Sequence, residues 1–595
     1  MEKVINPIPQ SKSREPVRPP EVGLSRRKNY QAWSKEELVR EIQKLEKRKK
    51  YGLVWEDKPE EVAELCKEKL PVLVEDELKE IKSSQIEPTN ILIEGDNYHA
   101  LSVLNYTHKG KIDVIYVDPP YNTGNKTWKY NNRFIDREDP FKHSRWLSFV
   151  SKRLNLAKHL LKPSGIIVVT IDDYEVFTLG MLMDEIFGES NRLANITVLN
   201  KKSGRTTDKH FATCHEYYLV YAKNASYAKI ELFGAEEDDI AEYRFEDEVS
   251  KYRWRDFLRT GGFSTPKERP NSYYPIYYNP QTEQISLKKF DGSVEILPID
   301  SRGNKRVWRQ TRPSFTLLVE QGDIKIEKNR QGLYSVKIKD RVKSGFKPKT
   351  VWDDPKYDAA THGTKLLESI LGTARTFEFP KSLYAVLDVL KITVKNNKAA
   401  VILDFFAGSG TTGHAVLELN KEDDGQRTFI LCTNNEDNNG MGLKIASDIC
   451  YPRIKRVIEG YKNIRGENVE ALGGKLKYFK TDFVDAIQTD RNKKRLVDKS
   501  TEMLCLKEDC FDEVKRTAGY AIFENGQGKH LGIVYDDDGI DSFKKEARKL
   551  NRKMVVYVFS LDESAREEEL KDVEKLVELK PIPAVILSVY KRIFR

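Results

Sequence analysis

From Asn90 onward, short unbroken apolar runs alternate with stretches whose apolar positions recur at helical spacing. Ile91-Leu92-Ile93 predicts a strand, and Leu101 and Leu104 fall in the helix after it. The run ending at Val117 predicts the next strand, followed by a helix from Trp146 to Leu161. A strand from Gly165 to Ile171, a helix from Phe177 to Phe187 and strands at Ile196 to Leu199 and Tyr217 to Tyr221 complete this half. Apolar runs with no polar alternation are expected of strands buried on both faces. The alternation of strand and helix therefore argues a doubly wound α/β sheet of the Rossmann type.

The pattern breaks at residues 231–375. Period-two segments such as Ile324-Lys325-Ile326 and Tyr334-Ser335-Val336-Lys337-Ile338, separated by Gly, Pro and Asn turns, predict an inserted, mostly β module. The first texture returns at residues 376–465. Residues 466–595 alternate again, with strands expected at Ala521 to Phe523, Leu531 to Tyr535, Met554 to Phe559 and Ala584 to Val589. They read as a separate small α/β domain. At the other end, residues 1–85 read as a flexible arm followed by charged helices. One of these starts at a capping box, Ser34 with Glu37, and carries Leu38, Ile42 and Leu45 on one face.

Charge sharpens this division. The chain of 595 residues carries a net +9. Residues 251–350 hold 22 Lys and Arg against 10 Asp and Glu, a local +12, so the remainder is slightly acidic. A basic surface interleaved with aromatic residues is the footprint of a nucleic-acid groove; a solvated basic face is the plainer alternative. Arg253 and Arg255 beside Trp254, and Arg306 and Arg309 beside Trp308, are the candidate DNA contacts. No apolar run reaches the length of a membrane span, and the N-terminus lacks an apolar signal core, so a cytoplasmic protein is expected. Six cysteines lie scattered without CxxC spacing, so no metal site is expected.

Two turns carry the candidate chemistry. Asp118-Pro119-Pro120-Tyr121 ends the Ile112 to Val117 run, and Phe406-Ala407-Gly408-Ser409-Gly410 follows the Ala399 to Leu403 run through Asp404 and Phe405. Ligands bind beyond the carboxyl ends of strands in open α/β sheets. An exocyclic amine of adenine or cytosine is a poor nucleophile because its lone pair is delocalised into the ring. A site that accepts both amino hydrogens favours the localised lone pair as the bond to a methyl carbon forms. Asp118 offers a carboxylate and Pro119 a rigidly placed carbonyl, Pro120 stiffens the turn, and Tyr121 can stack on a flipped base. In the second turn, Gly408 and Gly410 permit close backbone approach, and Thr411 opens a helix whose N–H groups face a ligand. No phosphate-cradling Gly-x-x-x-x-Gly-Lys motif occurs.

In this order the motifs resemble the β-class amino-methyltransferases of DNA, and more closely the modification (Mod) subunit of type III restriction–modification systems. The resemblance rests also on Gly95-Asp96-Asn97, Asp118 to Asn125, Trp146 to Phe149, Ile171 to Glu175 and Glu185 to Glu189. Phe379 to Leu383, Asp404 to Val416 and Leu496 to Glu502 extend it. It implies N6-adenine methylation of short duplex sites with S-adenosylmethionine as cofactor, in a bacterial or archaeal cytoplasm. Duplex DNA, a homodimer and a helicase–nuclease restriction subunit are the implied partners. Asp118, Pro119 and Tyr121 would hold the flipped adenine. Asp404, Phe406, Ala407, Gly408 and Gly410 would line the methionine and ribose of the cofactor, Phe379, Pro380, Lys381 and Ser382 its amino-acid end, and Asp96 its adenine. The residue for the ribose hydroxyls stays open among Thr433, Asn434 and Glu436. Ordinary helix surface is the alternative for Lys381 and His414. N4-cytosine methylation is the alternative chemistry, although a serine commonly replaces the first Asp there. A non-catalytic DNA reader that directs a partner nuclease is the alternative of another class.

Overall fold

The structure, a computed structural model, describes residues 33–36, 38–39 and 52–594, apart from 84–86, 131–132, 137, 207, 235–239, 330–331, 343–344, 375–376, 437–441, 488 and 563. Most of the helix expected from Ser34 lies outside these residues. Trp55–Arg595 forms one compact unit, separate from Met1–Val54.

A ten-stranded mixed sheet organises that unit. Six strands run parallel in the order Lys475–Asp485, Thr89–Glu94, Thr428–Thr433, Val401–Asp404, Ile112–Val117 and Leu161–Ile171. Glu216–Ala222 then joins antiparallel to Leu161–Ile171, followed by Arg192–Val198 and the short Val351–Trp352. The central strands are buried on both faces, which is why they appear in the sequence as continuous Ile, Leu and Val. Asp113 shows how neighbours are pinned. It interrupts the Ile112–Val117 run, accepts from the Val401 amide at 2.9 Å and pairs with Lys162 at 2.7 Å.

The sheet departs from the expected boundaries at three places. Lys69–Glu75, placed among charged helices, is its edge strand, antiparallel to Lys475–Asp485. Lys475–Asp485 lies in the sheet between Lys69–Glu75 and Thr89–Glu94, so the main sheet extends past residue 466. Trp352, Tyr357, Leu367, Ile370 and Leu371 pack in the main core, so the insertion ends near residue 350 and not at 375.

The insertion has its own core of Phe257, Tyr274, Ile276, Trp308, Phe315 and Val336 among others. Its largest sheet orders Ile324–Lys328, Tyr334–Arg341, Lys251–Asp256 and Phe245–Glu246. Phe233 and Phe346 close its neck through reciprocal backbone hydrogen bonds of 2.9 Å. The C-terminal region forms a five-stranded sheet that packs against the helix Ile540–Leu550. Ala584–Ile593, expected as a strand from residue 584, is a helix. Its Tyr590 hydroxyl donates to the Pro71 carbonyl and ties this region to the edge strand.

Candidate active site

Val401–Asp404 and Ile112–Val117 are adjacent parallel strands, with Ile402 opposite Val114 and Leu403 opposite Ile115. The two turns, far apart in sequence, therefore leave the same edge of the sheet side by side. The carboxyl ends of the next strands continue the row. The Gly95 amide donates to the Thr433 carbonyl at 3.0 Å, the Ala407 amide to the Cys432 carbonyl at 3.1 Å, and the Asn97 side chain to the Phe405 carbonyl at 2.9 Å.

Around Asp118 the structure assembles a closed polar network. The Thr170 hydroxyl donates to Asp118 Oδ1 at 2.5 Å, and Lys381 Nζ lies 3.1 Å from the same oxygen. Lys381 Nζ also donates to Glu216 Oε2 at 2.7 Å and to the Tyr121 hydroxyl, which donates to Glu216 at 2.9 Å. The ammonium sits 4.5 Å from the Tyr121 ring centroid. The turn is held from behind, where the Trp146 indole N–H donates to the Pro120 carbonyl at 2.6 Å. Burial raises the Asp118 carboxyl above its ordinary pKa. The Lys381 charge opposes that shift and the Glu216 charge adds to it. For Lys381, burial disfavours the charged form, but Asp118 and Glu216 more than offset it, so its pKa is raised.

Lys381 is therefore not helix surface, and its ammonium meets Asp118, Glu216 and Tyr121. Glu216 and Thr170 were missed by sequence reasoning. Glu216 left one signal, a lone acid opening the apolar run Tyr217 to Tyr221; Thr170 left none.

The second turn forms a cradle. Gly408 and Gly410 have φ of 49° and 80°, a region that side chains rarely adopt. A Cβ on Gly408 would lie 3.1 Å from Phe377 Cζ, and one on Gly410 3.1 Å from Cys450 Sγ. Asp404 accepts from the Phe406 amide at 2.9 Å and the Thr412 hydroxyl at 2.5 Å, which fixes the turn from within. Burial pushes its carboxyl to about 7. Behind the loop the buried Arg453 guanidinium donates to the Ser409 hydroxyl at 3.1 Å and to the Thr411 hydroxyl at 2.8 Å. The Thr411 side chain thus faces Arg453. His414 is buried against Arg453 and Glu418, not on the surface, and burial pushes its pKa down to about 4.

The other expected cofactor residues fall into two kinds. Phe379 adopts φ of 58° and is 79% exposed, next to the buried Pro380. Asp96 caps the helix Asn97–Thr107 through the Tyr98 amide at 2.7 Å and pairs with the buried Arg153 at 3.3 Å, at the row of strand ends. The Ser382 hydroxyl instead donates to the Lys356 carbonyl at 2.8 Å. Glu436 follows the Thr428–Thr433 strand, and its carbonyl accepts from the Ile445 amide at 3.2 Å.

In the insertion, Arg253 pairs with Asp340 at 3.1 Å and with Glu242, and Arg306 with Asp300 at 2.8 Å. Trp308 is core, its indole donating to the Tyr274 carbonyl at 2.8 Å, and is no surface aromatic. Arg255 is half-exposed, 3.9 Å from Asp340. Burial, then the positive charges of Arg255 and Arg259, lower the pKa of Arg309, while Asp340 and Asp256 oppose that shift. Arg259 donates to the Gly262 carbonyl at 3.0 and 3.1 Å, and Phe263 projects with 70% of its surface exposed.

Residues 112–439 match the family model for DNA methylase, and the chain belongs to that family; it is a DNA methyltransferase. The type II methyltransferase M.KpnI of Klebsiella pneumoniae is 35% identical over 405 residues, which make up 67% of this chain and 94% of that protein. The type III restriction-modification enzyme EcoPI Mod subunit of Escherichia phage P1 is 30% identical over 462 residues, 70% of each chain. Among solved structures, the cytosine-N4-specific PvuII DNA methyltransferase aligns with 64% of this chain and 95% of its own at 11% identity and a TM-score of 0.31.

Proposed function

We propose that the protein transfers the methyl group of S-adenosylmethionine to N6 of an adenine flipped out of a short duplex site, as the modification subunit of a type III restriction–modification system. One observation carries this reading: the Asp118 turn and the glycine cradle leave neighbouring parallel strands at one sheet edge. A flat base at the first and a sulfonium donor at the second would meet there.

The cradle fits the cofactor. Its glycines hold φ values that leave the backbone bare, and a side chain on Gly408 would meet Phe377. Gly408, Gly410, Phe406, Ala407 and the exposed Phe379 would hold its methionine and ribose part, and Asp96 its adenine. When bound, it supplies an electrophilic methyl group. The residues of the chain do the rest. Asp118 accepts one amino hydrogen while Thr170 fixes its orientation, Pro119 offers its carbonyl for the other, and Tyr121 walls the base. A carboxylate whose pKa is raised by burial is also suited to receive the proton the amine gives up.

Arg255, Arg259 and Arg309 would meet DNA phosphate, with Phe263 exposed beside them to touch bases. Arg253 and Arg306, already paired with carboxylates, would serve the fold of the insertion. A homodimer and a helicase–nuclease partner belong to the same reading. Single-molecule sequencing of DNA from cells expressing the chain tests it. N6-methyladenine at one short motif is expected. N4-methylcytosine at the motif would overturn the base assignment, and unmodified DNA the activity.

A further inference from the structure

The Asp118 network contains a second carboxylate that the reaction does not obviously need. Glu216 opens the strand Glu216–Ala222, is 3% exposed, and receives both Lys381 at 2.7 Å and the Tyr121 hydroxyl at 2.9 Å. Its other oxygen accepts from Tyr218 at 3.4 Å. Lys381 therefore bridges two acids, 3.1 Å from the half-buried Asp118 and 2.7 Å from the buried Glu216. The surrounding ionisable groups are Asp118, Tyr121, Tyr116, Tyr218 and Lys381, with Asp404 beyond Asp118 and the buried Asp172, pushed up to about 6 by burial, within reach of the Lys381 charge.

We propose that Glu216 is a positioning residue for methyl transfer: it retains the Lys381 ammonium and the Tyr121 hydroxyl when Asp118 turns to the target amine. The inference rests on Asp118 being the amine acceptor. An entering amino group competes with Lys381 for Asp118 Oδ1. A mostly buried ammonium left with no partner carries a penalty, so without Glu216 the lysine would stay on Asp118 and block the amine. With Glu216 present, the lysine changes its balance between two acids without leaving the network. In the transfer, the bond from methyl carbon to sulfur breaks, the bond from that carbon to the amine nitrogen forms, and one N–H proton passes to Asp118. The Glu216 charge, which adds to the proton affinity of Asp118, favours that last step.

Glu216→Gln keeps the shape and removes the charge. Its kcat is expected to fall about a hundredfold, the cost of a misplaced catalytic group, with S-adenosylmethionine affinity and melting temperature near wild type. Loss of the negative charge lowers the pKa of Asp118, so the acid limb of the kcat profile should move to lower pH. Glu216→Asp should recover part of kcat. Unchanged kcat, or a fall with the acid limb unmoved, would overturn the proposal and leave Glu216 a packing residue. Should Glu216→Gln not fold, Lys381→Gln reads the same network with opposite sign: Asp118 loses the cation that lowers its pKa, and the limb should move up. An unmoved limb there also overturns it. Asp118→Ala runs in parallel. Turnover retained by that variant would strike the Asp118 reading itself, a failure distinct from any result at Glu216.

Discussion

At the scale of single residues, the site is a problem of charges partly withdrawn from water. In the proposed role, Asp118 must be ionised to accept an amino hydrogen, yet burial raises its pKa. As pH falls, methyl transfer should therefore fail at a higher pH than an unshifted aspartate would set, and a kcat–pH profile measures where. Thr170 is the neutral support. Thr170→Val removes the hydroxyl 2.5 Å from Asp118 while keeping the shape, and loss of a hydrogen bond to a charged group is worth about 1.5–3 kcal/mol. A roughly ten- to hundredfold lower kcat is expected, with cofactor affinity unchanged by calorimetry. Asp404 poses the same problem as a question of stability. Its pKa in the folded chain, about 7, lies above the unfolded value. Its contribution to folding is complete below about pH 4 and is lost as pH rises through about 7. Asp404→Asn, neutral throughout, should flatten the melting temperature across that window. A slope unchanged from wild type would mean that Asp404 titrates normally.

At the scale of elements, what was legible follows from how strongly burial constrained the pattern. The central strands, covered on both faces, announced themselves, and so did the two turns that end them. Lys69–Glu75 did not. It sits at the sheet edge, where Pro71 is tolerated, and its charged flanks resemble a helix surface. The apolar run starting at Ala584 predicts a strand but folds as a helix, because a short apolar run cannot be told from a buried helix by periodicity. Glu216 and Thr170 were invisible for another reason: their role depends on which strands are neighbours, and only the fold decides that. Gly363 shows the same dependence. It lies in the π-helical turn Ala360–Lys365, and a Cβ there would sit 2.2 Å from the Pro380 carbonyl and 3.0 Å from that of Lys381. Gly363→Ala should push the Lys381 segment off its place and cut kcat about a hundredfold, since displacements near 1 Å have that cost. Near-native circular dichroism should accompany the loss. Full activity would mean that the segment yields without moving Lys381.

At the scale of the whole molecule, the insertion and the sheet that carries the two motif turns have separate cores. The insertion hangs from the main sheet by the Phe233–Phe346 pair and packs around Phe257, Trp308 and Phe315, none of which belongs to the main core. Replacing residues 234–345 by a short Gly-Ser linker should therefore spare the sheet, the glycine cradle and cofactor binding while abolishing DNA affinity. Within the intact chain, the arginines should divide by their partners. Arg309 feels the positive charges of Arg255 and Arg259, only partly offset by Asp340 and Asp256, and phosphate would relieve that repulsion. Each phosphate contact releases condensed counterions, so the slope of log affinity against log salt should flatten by about 0.9 for each of these replaced by Gln. Arg253 and Arg306 are neutralised by Asp340, Glu242 and Asp300, so their Gln variants should lower the melting temperature and leave the slope alone. Phe263→Ala should weaken binding with no change of slope, because a ring meeting bases displaces no counterion. Fluorescence anisotropy across a salt series, with melting curves for each variant, separates the three behaviours. If all five arginine variants shared one slope with wild type while DNA binding persisted, the basic charge of the insertion would face solvent only, and the duplex would have to lie against another part of the chain.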